Sequence, residues 1–136
     1  MEIQFIAGFG PITRTPAEGV GFWAGAFGIP FDEVAPDYHH AHGLEGARTF
    51  ALWPLAQAAE ATFGTPEWPA DQPVPQAWIE FEVASPELVA PAADELRAGG
   101  HEILVGPRTE PWGQTTARLQ SPEGLLVGIS YMPDFH

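Results

Sequence analysis

Two stretches of the chain open a helix in the same way, and their prolines, Pro16 and Pro86, stand 70 positions apart. In "TPAEGVGFWAGAFG", Thr15 can serve as N-cap, Pro16 suits the first helical position, and Glu18 completes a T-x-x-E capping box. Val20, Trp23, Ala24 and Phe27 then recur at helical spacing, and Gly28 ends the run. In "SPELVAPAADELRAGG" the cap is Ser85, the first position Pro86, and the apolar stripe Val89, Ala92, Ala93 and Leu96. Gly99-Gly100 closes it, and Pro91 lies early enough to be tolerated.

Each helix follows a strand, "IQFIAGFGPI" or "WIEFEVAS", and precedes extended segments. In the first half these are "PFDEVAPDY" and "ARTFALW"; in the second, "EILVGP", "GQTTARLQS" and "GLLVGISY". The expectation is an α+β fold of two tandem βαβββ modules in a single domain. Module one spans about 1–64 and module two about 76–136. Between them come a short helix in "PLAQAAEATFG" and a Pro-rich linker at about 65–75.

A chain of 136 residues that is 45% hydrophobic, with five Trp and nine Phe, has the material for a packed core. No apolar run reaches the ~20 residues of a membrane helix. "MEIQFIAGFG" lacks a basic n-region and a cleavage site, so no signal peptide is read and a cytoplasmic location is expected. The absence of cysteine excludes disulfides and thiolate chemistry. A net charge of −13 with only five basic residues opposes nucleic-acid binding and favours cationic ligands. There is no Gly-rich phosphate loop and no G-x-S-x-G elbow.

The duplicated plan, "PWGQTTARLQSPEG" and the connector "WPLAQAAEATFGTPEWPA" together resemble the vicinal oxygen chelate superfamily. This is the group of glyoxalase I, bleomycin-resistance proteins and extradiol dioxygenases. The resemblance implies a curved mixed sheet with helices on the convex side, a ligand cleft on the concave side, and a homodimer. In catalytic members, His, Gln or Glu side chains in the cleft hold a divalent metal. The resemblance maps those ligand positions onto Gly8, Trp78 and Gly128, the last being four residues after the turn glycine Gly124. None of the three has a side chain suited to coordination. The matching position in module one falls in "ARTFALW", where the register is open but no His, Asp or Glu occurs. The expectation is therefore no metal at the usual site and no cofactor.

A separate cluster, "HHAH", supplies His39, His40 and His42, with Glu45 nearby. The cluster reads first as a polar strand-to-loop segment; the alternative is that His40 and His42, which share a face on a strand, coordinate zinc or nickel. His101 follows a Gly-Gly turn and reads as solvated.

Alternation along the strands sorts the remaining residues. In "WIEFEVAS", Ile79, Phe81 and Val83 suit the helix side, leaving Trp78, Glu80 and Glu82 for the cleft. In "GQTTARLQS", Thr115, Ala117 and Leu119 oppose a cleft set of Gln114, Thr116, Arg118 and Gln120. A Trp beside carboxylates and amides makes a site for a flat, aromatic or cationic molecule, and a buried Glu80 could act as general base. Trp23 suits the helix core; Trp53, Trp68 and Trp112 suit core or cleft. Three classes stay open. They are a small-molecule binder; a lyase, isomerase or dioxygenase with an atypical or absent metal; and an interaction module.

Overall fold

The computed structural model describes residues 1–26, 28–121 and 124–136. Phe27 of the first helical stripe, and Pro122 and Glu123 of the last turn, lie outside the described residues. The first module runs β1 (Phe5–Thr13), α1 (Pro16–Val20), β2 (Asp32–Ala35), β3 (Tyr38–Ala41) and β4 (Thr49–Pro54). After α2 (Leu55–Phe63) the second runs β5 (Ala77–Glu82), α3 (Val89–Ala98), β6 (Val105–Thr109), β7 (Thr115–Gln120) and β8 (Leu126–Tyr131). The eight strands form one curved sheet in the order β2-β3-β4-β1-β5-β8-β7-β6.

The first strands of the two modules meet antiparallel at the middle, and each pairs in parallel with the last strand of its own module. Phe9↔Ile79 is the central pair, flanked by Gly8↔Glu80 and Gly10↔Trp78. This internal two-fold makes Gly8 the counterpart of Trp78, and Gly10 the counterpart of Glu80. Gly128 pairs with Glu80, and the offset that pairs Gly8 with Thr49 brings Ala51 beside Gly10. Ala51 is therefore the module-one counterpart of Gly128, which fixes the register that sequence alone leaves open.

On one face Phe81 and Val83 pack on α3 with Val89, Ala92, Ala93, Ala117 and Ile129. The alanine stripe lets α3 sit close to the sheet, and burying Val89 completely is worth about 1.5–3 kcal/mol. The opposite face carries Ile12, Ala51, Trp53, Trp78 and Leu126, joined by Ala58 of α2. The connector helix thus packs on the cleft side and closes one end of the concave face.

The helix starts differ from the expected caps. Neither Thr15 nor Ser85 makes a side-chain capping bond. Pro86–Leu88 forms a 3₁₀ turn and α3 begins only at Val89, with Pro91 in its first turn. α1 is five residues long with no buried member, and continues as π-helical turns over Gly21–Ala26. Gly19, Gly21 and Gly25 in so short a segment each cost about 1 kcal/mol relative to Ala, so regular helix has little to sustain it. Trp23 packs edge-on against Phe50 at 5.6 Å, the helix-side role expected of it. Among the described residues no helix is long and apolar enough to cross a membrane.

Candidate functional site

The concave face holds a cavity of about 390 Å³, inside the range of small-molecule sites. Its wall includes Gly8 and the side chains of Trp78 and Glu80, and each of these two side chains lies over a glycine. A Cβ on Gly8 would stand 2.6 Å from Cη2 of Trp78, so the indole occupies the space a residue 8 side chain would need. A Cβ on Gly128 would stand 2.8 Å from Cγ of Glu80. Trp78 is 4% exposed, donates its indole N–H to the Ala51 carbonyl at 3.3 Å, and meets Trp53 edge-to-face at 5.8 Å. It is core and cavity wall together.

A hydrogen-bonded chain orients the polar end. Trp112 donates to Oε1 of Gln114 at 2.9 Å, and Nε2 of Gln114 donates to Oε2 of Glu80 at 2.6 Å. Indole N–H can only donate, so the Gln114 oxygen must face Trp112 and its amide nitrogen must face Glu80. Burial pushes the Glu80 carboxyl above its ordinary proton affinity; Arg118 and the Gln114 bond oppose the rise, while Glu82 and Glu110 add to it. Tyr38 also lines the cavity. Burial, then the Glu80 charge, raises its pKa and keeps the phenol protonated.

Arg118 is buried in the row beyond Gly128, with its Nη1 donating to Oε1 of Glu110 at 2.7 Å and to the Ala61 carbonyl at 3.3 Å. Arg108 reaches the same carboxylate at 3.2 Å and also donates to the Ala61 carbonyl. Two cations at the C-terminal end of α2 suit its dipole and pin that helix to the second module.

His40 and His42 also line the cavity, their ring centroids 4.0 Å apart. Burial lowers the proton affinity of His40, His42 lowers it further, and Asp32 partly offsets both. His39 turns away to meet Glu33 at 3.0 Å. Glu45 lies outside this cavity, in an open groove beside it with Phe5 and Arg48. Among the described residues no three His, Cys, Asp or Glu converge in a metal-binding group. The positions that the family resemblance assigns to metal ligands, Gly8, Ala51, Trp78 and Gly128, do not fit an ion. None has a donor side chain, and two of the spaces are filled by Trp78 and Glu80.

Of the expected cleft residues, the structure brings Trp53, Trp78, Glu80, Trp112, Gln114 and Arg118 around one cavity. Three others share their strand face but do not reach it. Glu82 is fully buried and spent on structure, accepting from Ser130 Oγ at 2.9 Å and the Met132 amide, with His136 at 3.0 Å. Thr116 is fully buried. Gln120 bonds the carbonyls of Pro73 and Gly124. Trp68 belongs to the linker, bonded to Pro73 and packed on Phe63.

Tyr38, Gln57, Met132, Asp134 and Phe135 also line the cavity and were not singled out from sequence. Alternation from His40 back to Tyr38 could have found the tyrosine. The turn that carries Asp134 and Phe135 has no periodicity to read. Glu110, the partner of Arg118, sits eight residues before it and gives no local sign of the pairing.

The Glyoxalase/Bleomycin resistance protein/Dioxygenase superfamily model matches residues 9–129. Among solved structures, the chain is similar to an NAD-dependent benzaldehyde dehydrogenase from Legionella pneumophila (17% identity, 92% of this chain and 97% of that one, TM-score 0.64). It is similar to a glyoxalase/bleomycin resistance protein/dioxygenase superfamily member from Vibrio splendidus 12B01 (13% identity, 96% and 100%, TM-score 0.62). It is also similar to a variant of Streptomyces coelicolor methylmalonyl-CoA epimerase in complex with 2-nitronate-propionyl-CoA (18% identity, 97% and 99%, TM-score 0.58). At such identities the likeness is one of fold. No curated protein sequence matches at a significant level. With the family match running through both modules, from β1 into β8, the chain belongs to the glyoxalase/bleomycin resistance protein/dioxygenase superfamily.

Proposed function

We propose that this protein binds a flat aromatic small molecule in its cleft, with no metal at the superfamily's usual ligand positions. The observation that carries the reading is the composition of one cavity: Trp53, Trp78, Trp112, Tyr38 and Phe135 surround a pre-oriented Glu80–Gln114 pair. Aromatic walls contribute apolar area and ring–ring geometry worth about 0.5–1.5 kcal/mol per contact beyond burial. A carboxylate at one end admits a cationic substituent. Calorimetric titration with a panel of one- and two-ring aromatics tests it. Micromolar binding that weakens in Trp112→Ala is expected; no heat from any member overturns it.

The metal part has its own test. Coordination needs three or four donors at ~2 Å, and Gly128→Glu restores only one, so neither the protein nor that variant should retain Ni, Zn, Fe or Mn there after dialysis. One equivalent by elemental analysis, with an anomalous peak between Gly8 and Gly128, refutes it.

A second reading is proton-transfer catalysis, a lyase or isomerase, favoured by the raised proton affinity of Glu80 and its fixed hydrogen bond. Turnover of a carbonyl compound that disappears in Glu80→Gln would select it. We propose also that the protein is a homodimer, as the resemblance implies, and that it is cytoplasmic, as the composition and the sequence "MEIQFIAGFG" lead us to expect. A monomer mass in light scattering at micromolar concentration would refute the dimer.

A further inference from the structure

We propose that Tyr38 is a ligand-binding residue, and that its hydroxyl and the free oxygen of Glu80 together hold a hydroxyl group on the aromatic molecule in the cleft. The inference rests on the aromatic-binding reading above and narrows it, from any flat molecule to a hydroxylated one.

Both oxygens are unspent and open. Tyr38 and Glu80 line one cavity, and the Tyr38 ring packs on the apolar cluster that includes Trp53 and Trp78. Among the described residues the Tyr38 hydroxyl has no hydrogen-bond partner, yet it is not closed off from solvent. Glu80 gives Oε2 to Gln114 and leaves Oε1 unbonded, and that oxygen is not closed off either. A side chain at position 128 would crowd it, since a Cβ there would stand 3.2 Å from Oε1. The indole N–H groups of Trp78 and Trp112 are by contrast already spent.

The fold turns the two oxygens toward each other. Tyr38 lies in β3 and Glu80 in β5, with β4 and β1 between them, and the concave curvature inclines their cleft-side groups inward. Tyr38 alternates with His40 on one strand face, and both line the cavity. The charge that raises the proton affinity of the phenol is that of Glu80, from the other module. The phenol therefore stays a donor and looks across the cleft.

The chemistry of the pair selects its partner. Tyr38 offers an O–H. Oε1 of Glu80 accepts while the carboxyl is ionised and carries the proton when it is not, because Oε2 already accepts from Gln114. A ligand hydroxyl has one donor and two lone pairs, so it serves Tyr38 and either form of Glu80. An ether would leave the ionised carboxylate without a donor. An ammonium would leave the phenolic O–H without an acceptor.

The test is calorimetric titration of the full chain with four compounds on one ring system: naphthol, methoxynaphthalene, naphthylmethylamine and naphthalene. Naphthol should bind tightest, by roughly tenfold over naphthalene, the yield of one or two net hydrogen bonds. Tyr38→Phe removes one oxygen and keeps the ring. It should weaken naphthol roughly three- to tenfold, leave naphthalene unchanged, and melt at the wild-type temperature. Naphthol no tighter than naphthalene, tightest binding of the ether or the amine, or a naphthol preference undiminished in Tyr38→Phe overturns the proposal and leaves the aromatic reading standing. A variant that melts clearly lower, or does not fold, assigns the hydroxyl to the fold and overturns it too. Absence of binding by all four compounds overturns both readings.

Discussion

The side chain of Glu80 lies across Gly128: a Cβ built on that glycine would stand 2.8 Å from Cγ and 3.2 Å from Oε1 of the glutamate. The contact joins neighbouring strands at a paired position, so neither residue can change without the other feeling it. Gly128→Ala should displace Glu80, break its bond to Gln114 and cost about 1–3 kcal/mol, the usual range for overpacking. In a Glu80→Ala background the same substitution should cost less than half as much. Denaturant unfolding of the double-mutant cycle measures the coupling; additive losses would mean that Glu80 does not rest on Gly128.

The raised proton affinity of Glu80 carries a pH dependence. The folded state holds this proton at pH values where the unfolded chain has released it, so the slope of stability against pH is negative in that window. The contribution is complete below the ordinary carboxylate value and disappears as pH climbs through the raised folded value. Stability of wild type minus that of Glu80→Gln should therefore fall as pH rises from about 4 toward neutrality. A flat difference curve would show that Glu80 is not shifted.

Trp78 and Trp112 line one cavity but should respond oppositely to truncation. Trp78 is 4% exposed and fills the notch at Gly8, so Trp78→Ala should cost about 3–5 kcal/mol of stability. Trp112 is 50% exposed, so Trp112→Ala should leave the unfolding midpoint almost unchanged and weaken ligand binding instead. Thermal melts and titrations on the two variants separate the roles.

Glu82 holds the chain's last turn to β5. Glu82→Ala would leave the Met132 amide and the Ser130 hydroxyl without their acceptor, at about 1–3 kcal/mol each. Glu82→Gln retains an acceptor oxygen and should lose clearly less. Equal melting temperatures for both variants would argue against a structural role.

What the sequence alone determined about this protein is its local plan. Proline-opened helices, apolar stripes and period-two strands are read over a few residues, and they yield the duplicated α+β fold and a cleft face for β5 and β7. The helix caps were the exception, because hydrogen-bond geometry at Thr15 and Ser85 depends on the backbone angles that the following proline allows. Side-chain fate was decided only in the tertiary structure. Trp78, Glu80 and Glu82 alternate identically along β5, yet one fills a glycine notch, one lies on Gly128, and one is taken up by a turn about fifty residues later. The pairing of Arg118 with Glu110, the placing of α2 on the cleft side, and the position of the His40–His42 pair in the cavity wall were likewise settled there. Each depends on strands and loops brought together across the sheet, where burial and unmet hydrogen bonds rather than sequence spacing set the cost.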